Sequence, residues 1–138
     1  MKSEPKVVLE KDKEIELKWP SKGSIEFKNV CMKYNELNDD FVLKNVSFKI
    51  NGGEKIGCVG RTGAGKSSLI QVLFRMVKTT PESAIEIDGI NIRDIGLRLL
   101  RKSMAIIPQT AFTFIGTVKY NLDPLGKFSD EKLWSVLE

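Results

Sequence analysis

One stretch of this 138-residue chain decides its fold, and it reads Gly60-Arg61-Thr62-Gly63-Ala64-Gly65-Lys66-Ser67. It fits the pattern G-x-x-x-x-G-K-[ST], in which glycines let the backbone approach phosphate groups and turn successive N–H groups toward them. The apolar residues 55–59 precede it and predict a strand buried in a parallel sheet. An apolar helix face follows it, formed by Leu69, Ile70, Leu73, Met76 and Val77. A strand, this loop and a helix in that order predict a site for a nucleoside triphosphate.

The polar side chains of the loop each receive a role from the chemistry of phosphate binding. Lys66 is predicted to reach the β- and γ-phosphates as a point charge, and the Ser67 hydroxyl to coordinate Mg²⁺. Ser68 is predicted to contact the α-phosphate. The N-terminus of the following helix adds a partial positive charge at the same place. The remaining contacts would come from the backbone of Gly60, Arg61, Thr62, Gly63, Ala64 and Gly65.

The chain before the loop predicts a leader followed by an antiparallel unit. Residues 1–18 mix lysine and glutamate with few aliphatic residues, which predicts a linker or mobile leader before a domain over residues 19–138. Alternating apolar residues from Ile25 onward predict a strand with a bulge near Asn29. A second strand is predicted over residues 42–50, and the turn residues after it complete an antiparallel pair.

The chain after the loop predicts shorter elements. A hairpin is predicted over residues 85–92, with its corner at Asp88 and Gly89. Further elements are a helix over 97–102, a strand over 104–107, a short helix beginning at Gly116-Thr117 and a final helix capped by Ser129. The predicted fold class is α/β, a P-loop NTPase core with an antiparallel β subdomain in front of it.

Composition narrows the class of protein. The net charge is +4, and the charged residues, 29% of the chain, are scattered, which argues against a nucleic-acid partner. Cys31 and Cys58 lie in predicted strands, so buried free thiols are expected rather than a disulfide, and the lack of histidine argues against zinc. No apolar run reaches the roughly 20 residues of a membrane span and no signal peptide is visible, so we expect a soluble intracellular chain.

Several other segments share their pattern with one family. They are residues 19–27 (WPSKGSIEF), 42–48 (VLKNVSF), 53–69 around the loop, 106–109 (IIPQ), Ile87-Asp88-Gly89, Gly116-Thr117-Val118 and Asn121-Leu122-Asp123-Pro124. Together they resemble the nucleotide-binding domain of ATP-binding-cassette (ABC) transporters from residue 19 onward. The resemblance is greatest to the C subfamily, the multidrug-resistance-associated type, and to the second cassette of those proteins.

The resemblance implies two further site residues. Tyr34 stands at the position of the family's A-loop aromatic, whose ring would stack on adenine. From the residues alone, Tyr34 is equally well explained as a half-buried aromatic at a strand end. Gln109 stands at the Q-loop position, where its amide oxygen would contact Mg²⁺ and the attacking water. From the residues alone, Gln109 closes a strand after Pro108. The implied cofactors are ATP and Mg²⁺.

The sequence departs from the family in two ways. Thr110-Ala111 replace a common acidic residue and proline, and Ile115 replaces a small polar residue, which affects the surface expected to couple to membrane domains. The signature loop, the Walker B aspartate with its catalytic glutamate, the D-loop and the switch histidine do not occur. We therefore expect the N-terminal portion of a cassette, truncated before Walker B, that binds Mg-ATP without hydrolysing it alone. Apolar surface left by missing strands would favour self-association.

In the full-length protein the resemblance implies ATP-driven transport. The cassette would lie on the cytoplasmic face of a membrane, with a second cassette and transmembrane domains as partners. Three other functions stay open. Residues 123–126 match the D-x-x-G of switch GTPases, although the guanine-reading Asn-Lys-x-Asp is absent. A small-molecule P-loop kinase is the second alternative, although its phosphate loop normally opens the domain, whereas here two predicted strands precede the loop. A truncated cassette would bind nucleotide or partner chains without turnover.

Overall fold

The computed structural model describes residues 7–10, 12–16, 19–35, 40–110 and 112–138. Contacts divide the chain into two units, Met1–Ala105 and Ile106–Glu138. The first unit contains α1 (Asp12–Glu16), β1 (Ile25–Met32), β2 (Leu43–Ile50), α2 (Lys66–Leu73), β3 (Ala84–Ile87), β4 (Ile90–Asn91), a 3-10 turn (Ile92–Asp94) and α3 (Leu97–Lys102). The second unit contains α4 (Val118–Leu122) and α5 (Asp130–Leu137).

β1 is a central strand of the sheet that organises the first unit. The strand order is β2-β1-β3-β4, and every neighbouring pair is antiparallel. The predicted antiparallel pair and the predicted hairpin are both confirmed. At the hairpin corner Asp88 and Gly89 take φ angles of 49° and 78°, the left-handed geometry of a tight two-residue turn.

Two bulges decide which side chains of β1 face the core. The pairing with β2 shifts by one residue on β1 next to Asn29 and by one residue on β2 next to Asn45. These residues take φ angles of 49° and 50°, which asparagine tolerates better than most residues. The first bulge confirms the predicted change of phase. Because of it, Phe27 before the bulge and Val30 and Met32 after it are all buried.

The hydrophobic core joins this sheet to α2 and α3. Phe27 and Phe48 are paired across β1 and β2, and their rings stack with centroids 4.5 Å apart. Trp19 is buried, and its Nε1–H donates a hydrogen bond of 2.8 Å to the carbonyl oxygen of Ile87 on β3. The other buried members of the core are Val30, Met32, Leu43, Val72, Ile85, Ile87, Ile92, Ile95, Leu99 and Leu100.

The Asp88 carboxylate ties the start of the folded region to the hairpin corner. Its Oδ2 accepts hydrogen bonds of 2.7, 2.8 and 3.1 Å from three successive N–H groups, those of residues 21–23. Its Oδ1 accepts from the N–H and the hydroxyl of Ser24 at 2.8 and 2.9 Å. Desolvation raises the pKa of this carboxyl, but the hydrogen bonds donated by residues 22–24 together lower it by more. The pKa therefore lies well below its ordinary value.

Part of the stretch predicted to be a leader lies against α3. Asp12 is buried; its Oδ1 accepts from the Gly96 N–H at 2.9 Å and its Oδ2 from the Leu9 N–H at 2.7 Å. The Arg98 N–H donates to the Val7 carbonyl oxygen at 3.0 Å. These contacts satisfy N–H groups at the start of α3 that have no acceptor within the helix. The domain boundary at residue 19 stays a prediction. Residues 1–6, 11, 17 and 18 of the predicted leader lie outside the described residues.

Two predicted strands are wrong, the buried parallel strand over residues 55–59 and the strand over residues 104–107. Residues 55–59 and 104–107 form no strand, and no strand of the described residues pairs with them. Val59 and Ile107 are each 96% exposed. An apolar run indicates a preference for burial, but a strand forms only where a neighbouring strand completes its hydrogen-bond ladder. For the same reason Cys58, one of the two thiols expected to be buried, is exposed, whereas the other is partly buried in β1.

The second unit confirms its two predicted helices. The hydroxyls of Thr117 and Ser129 each accept a hydrogen bond from the backbone N–H three residues later, at the starts of α4 and α5. Asn121 Oδ1 accepts a backbone N–H from the loop before α4 at 2.6 Å, and Asp123 Oδ2 accepts one from the loop after it at 2.7 Å. None of the helices in the described part of the chain has the length and hydrophobicity needed to cross a membrane.

Replacing Asp88 with asparagine is expected to destabilise the protein by about 1–3 kcal/mol at neutral pH, because an amide turns its own N–H donors toward backbone donors. Asparagine tolerates a positive φ as aspartate does, so backbone strain is unchanged. The pKa of Asp88 is lower in the folded protein than in the unfolded chain. The stabilisation is therefore complete above the ordinary pKa of 3.8 and is lost as the pH falls through the folded-state value.

Urea denaturation at pH 7 and at pH 3 measures both effects. Asp94→Asn changes an exposed carboxyl in the turn after β4 and is the matched control, with little change expected. A penalty for Asp88→Asn that stayed constant from pH 7 to pH 3 would rule out the stabilising role of the carboxylate charge.

Gly96→Ala is expected to detach residues 7–10 and 12–16 from α3. The backbone of Gly96, with φ −68° and ψ 148°, suits any residue. A Cβ atom there would collide with the Asp12 carboxylate, the Val7 carbonyl and the Val8 backbone. We expect trypsin to cleave the chain before residue 19 severalfold faster in this variant, as measured by mass spectrometry.

Asp12→Ala removes the acceptor of the Gly96 and Leu9 N–H groups, so it should accelerate cleavage in the same way. Gly57→Ala is the matched control, because a Cβ atom at Gly57 would meet nothing within 4 Å. Equal cleavage rates in the wild type and all three variants would show that these contacts do not hold the segment.

Candidate nucleotide-binding site

Helix α2 carries the site and is attached to the core by one face. Val72 is buried in the core, and Leu73 packs against it. The predicted apolar face is partly wrong. Ile70 is exposed, and Met76 lies beyond the end of the helix, since Arg75 takes a φ of 51° that interrupts helical geometry.

The loop before α2 contains two glycines in the left-handed conformation. Gly63 and Gly65 take φ angles of 82° and 84°, where a side chain would be strained. Gly65 is the N-cap of α2 and also lies against the start of β2. A Cβ atom on it would be 3.1 Å from Leu43 Cδ2 and 3.3 Å from the Val42 carbonyl oxygen. The motif glycine therefore permits a close approach between the helix N-terminus and the sheet.

Lys66 folds back over the loop instead of extending into solvent. Its Nζ donates to the carbonyl oxygen of Gly60 at 2.6 Å and to that of Arg61 at 2.8 Å. An ammonium group has three N–H donors, so these bonds leave one for an anion. The structure thus places the charge of the motif lysine against the loop backbone.

The chain around the loop is uniformly basic. Between residues 55 and 81 no aspartate or glutamate occurs, whereas the stretch contains Lys55, Arg61, Lys66, Arg75 and Lys78. The first turn of α2 has no acidic residue. An acidic side chain in that position would commonly neutralise the positive end of the helix dipole. Its absence leaves the helix N-terminus available to an external anion.

The two serines after Lys66 differ in their surroundings. Ser67 is exposed, and its hydroxyl has no hydrogen-bond partner within the part of the chain that the structure describes. Ser68 is buried, and its Oγ lies 2.9 Å from the hydroxyl oxygen of Tyr34. Within the described part of the chain, the predicted magnesium ligand Ser67 has no hydrogen-bond partner, whereas Ser68, predicted to contact the α-phosphate, already has one.

The remaining loop residues are exposed, as a surface site requires. These are Gly60, Arg61, Thr62, Gly63 and Ala64. The Ala64 N–H donates to the Arg61 carbonyl oxygen at 3.1 Å, so a phosphate contact from this group has to replace that bond.

Tyr34 lies two residues beyond β1 and reaches α2 with its hydroxyl group. The hydroxyl donates to Gln71 Oε1 at 2.7 Å and also bonds to Ser68. Tyr34 is 59% exposed, so much of its side chain is accessible. The structure therefore joins the predicted adenine-stacking residue to the helix that follows the phosphate loop. Gln71 was not predicted; the available signal was its position one helical turn after Ser68, on the same side of α2.

Gln109 belongs to the second unit, where it is exposed. Its contacts with Mg²⁺ and with the attacking water stay predictions. Of the residues that depart from the family pattern, Thr110 and Ile115 are exposed and Ala111 lies outside the described residues.

Comparison with known proteins places this geometry in a family. The sequence model of the family described as "ABC transporter" matches residues 43–137. Bile pigment transporter 1 of Saccharomyces cerevisiae is 57% identical over 87% of this chain. ABC transporter C family member 2 of Dictyostelium discoideum is 49% identical over 92% of it. ATP-binding cassette sub-family C member 3 of Homo sapiens is 48% identical over 87% of it.

A solved structure shows the same fold. The structure of a bacterial Atm1-family ABC exporter with ATP bound superposes with a TM-score of 0.68 and 34% sequence identity, over 75% of this chain and 18% of that chain. The chain spans only 8–9% of the length of the three curated relatives. The predicted fold class, an ABC cassette core with an antiparallel β subdomain, is confirmed. Because the family model covers more than half of the chain and the relatives are C-family members, this chain belongs to the ABC transporter family and is similar to its C subfamily.

Proposed function

We propose that this chain binds Mg-ATP as the N-terminal portion of a transporter cassette. The phosphate loop carries the proposal. Two left-handed glycines shape it, the Lys66 ammonium lies against its backbone, and α2 begins without an acidic residue. Donors and positive charge therefore converge at one place with no competing negative charge. A triphosphate suits such a site because it presents several anionic oxygens to the same set of donors.

Lys66 is prepared for phosphate before a ligand arrives. Its bonds to the Gly60 and Arg61 carbonyl oxygens restrict the rotamers of a side chain that would otherwise be mobile. Less conformational entropy is therefore lost when the remaining N–H engages a phosphate oxygen. A hydrogen bond to a charged group contributes about 1.5–3 kcal/mol.

Tyr34 is proposed to bind the base. Its hydroxyl is held on α2 by Ser68 and Gln71, while the residue is more than half exposed. An aromatic ring with an accessible face and a hydrogen-bonded edge is suited to stacking on adenine. Stacking of this kind is worth about 1–3 kcal/mol for each base.

Two oxygen donors are proposed for the metal ion. Mg²⁺, when bound, neutralises part of the phosphate charge and orients the phosphates. Ser67 fits this role because its hydroxyl is exposed and free among the described residues. The amide oxygen of Gln109 is the second proposed ligand. Both are hard oxygen donors of the kind that Mg²⁺ prefers.

The longer protein is proposed to couple ATP hydrolysis to transport. The relatives are transporters, and this chain spans less than a tenth of each. The second cassette, the transmembrane domains and the position at the cytoplasmic face of a membrane are therefore proposals for the whole protein.

A second candidate function is nucleotide binding without turnover. Among loop residues 60–68 no side chain is a carboxylate or an imidazole, so none can accept the proton of an attacking water. Positioning and charge stabilisation from Lys66 and the loop remain, but loop residues 60–68 supply no general base for the attacking water. We propose that this chain alone binds ATP and does not hydrolyse it.

The chain is expected to bind Mg-ATP more tightly than Mg-GTP, and Lys66→Ala is expected to weaken ATP binding at least about tenfold, because it removes a charge-assisted hydrogen bond. Competition against a fluorescent ATP analogue measures both affinities. Lys132→Ala, at an exposed lysine of α5, is the control that should leave binding unchanged. Tighter binding of GTP than of ATP would favour a GTP-binding function and contradict the assignment of ATP as the ligand.

Phosphate release from Mg-ATP is expected to be the same for the wild-type chain and the Lys66→Ala variant, because loop residues 60–68 offer no general base for the attacking water in either. A sensitive phosphate-release assay measures this, and an extended chain that includes the missing catalytic segments is the positive control. Turnover by the 138-residue chain that Lys66→Ala abolished would show that it hydrolyses ATP by itself.

A further inference from the structure

The hydroxyl of Tyr34 is shared between two residues of α2. It donates to Gln71 Oε1 at 2.7 Å and lies 2.9 Å from Ser68 Oγ. Ser68 and Gln71 are three residues apart, so their side chains leave the same side of the helix. Ser68 is buried and Gln71 is half-buried. The two side chains that hold the Tyr34 hydroxyl are therefore buried and half-buried, and are not mobile groups on the surface.

The direction of each hydrogen bond follows from the number of protons. A phenol has one proton, and Tyr34 gives it to the Gln71 carbonyl oxygen, which is an acceptor only. The Ser68 hydroxyl must then be the donor to Tyr34. While this bond persists, Ser68 has no proton to give to a phosphate oxygen. Its backbone N–H, in the first turn of α2, has no acceptor within the helix and is the group that remains for a phosphate.

We propose that Gln71 is a positioning residue for the base of the bound nucleotide, acting through Tyr34. When the Ser68 hydroxyl turns toward the α-phosphate, Gln71 alone keeps the Tyr34 hydroxyl on α2. The ring then stays at a fixed place relative to the phosphate loop, because the loop leads directly into the same helix. The inference rests on the proposed function and adds to it a residue that does not touch the ligand.

The reason for a tether lies in the exposure of the ring. Tyr34 stands beyond the end of β1 and is 59% exposed, so core packing does not fix its side-chain angles. An untethered ring would have several staggered rotamers, and stacking on a base would have to select one of them. A bond that selects the rotamer beforehand lowers the cost of binding. Gln71 should therefore affect ligands that carry a base and not the triphosphate group alone.

The test compares Mg-ATP with Mg-tripolyphosphate, which has the phosphates and no base. Titration calorimetry on the 138-residue chain gives both affinities, and their ratio is the readout. Gln71→Met keeps the size and helix propensity of the side chain but removes the acceptor. Tyr34→Phe keeps the ring but removes the hydroxyl. Each is expected to weaken ATP binding about threefold to tenfold, the effect of one lost hydrogen bond, and to leave tripolyphosphate binding unchanged.

Two further variants separate positioning from a structural role. The double variant Tyr34→Phe/Gln71→Met should bind ATP no more weakly than Tyr34→Phe alone, because Tyr34→Phe already removes the bond to Gln71, together with the bond to Ser68. Gln71→Glu keeps an acceptor for Tyr34; its charge weakens both ligands together, so the affinity ratio should stay at the wild-type value. Tyr120→Phe is the matched control at the other tyrosine of the chain, and no change is expected.

Several outcomes would overturn the proposal. One is wild-type ATP affinity in Gln71→Met, and another is an equal loss for ATP and tripolyphosphate, which would mean that the variant disturbs α2. Additive losses in the double variant would also overturn it. If Gln71→Met does not fold, Tyr34→Phe with its unchanged ring decides by the same ratio. A wild-type chain that binds neither ligand refutes the proposed function itself. A wild-type chain that binds both equally, with no effect of Tyr34→Ala, refutes only the base site.

Discussion

The docking of α2 against the antiparallel sheet is the contact on which the candidate site depends. Val72 is buried in the core near the end of the helix, and Gly65 at its start lies so close to β2 that a Cβ atom would be 3.1 Å from Leu43. In a P-loop domain the strand before the loop commonly supports it from the other side. Here residues 55–59 pair with no strand of the described residues. The helix therefore sets the position of the phosphate loop, and Lys66 moves with it.

The sheet brings both parts of the ligand site to one edge. Met32 at the end of β1 pairs with Leu43 at the start of β2, so Tyr34 and the approach of Gly65 lie at the same end of this strand pair. The first turn of α2 meets both, through Gly65 and through the hydroxyl of Ser68. A base and a triphosphate bound here would both be positioned by α2. A rigid element of this kind keeps separate ligand contacts at fixed distances from each other.

Local patterns predicted the elements whose hydrogen bonds close within a short stretch of chain. The bulge at Asn29, the corner at Asp88 and the helix Leu97–Lys102 all follow from turn chemistry or helical spacing. The strands predicted over residues 55–59 and 104–107 did not form, because apolar composition indicates a preference for burial and not the presence of a neighbouring strand. The site divides in the same way. The loop is visible as a motif, whereas the bond between Tyr34 and Gln71 joins two separate elements, and the local signal for Gln71 is limited to its helical spacing from Ser68.

The motif residues of this chain fall into two groups: those whose polar atoms already form hydrogen bonds within the protein, and those whose polar atoms remain available to a ligand. Asp88 and Asn121 stand in two of the segments that resemble the family, yet their polar atoms are engaged by backbone groups. Neither can turn to a ligand without leaving a backbone group unpaired, so both are structural. The Ser67 hydroxyl has no partner among the residues that the structure describes and Lys66 retains a donor, so both are available to a ligand. Tyr34 combines the two conditions, since its hydroxyl is engaged while much of its side chain is exposed. The engaged hydroxyl gives the exposed ring a defined position, and this makes an aromatic residue at a strand end usable as a binding surface.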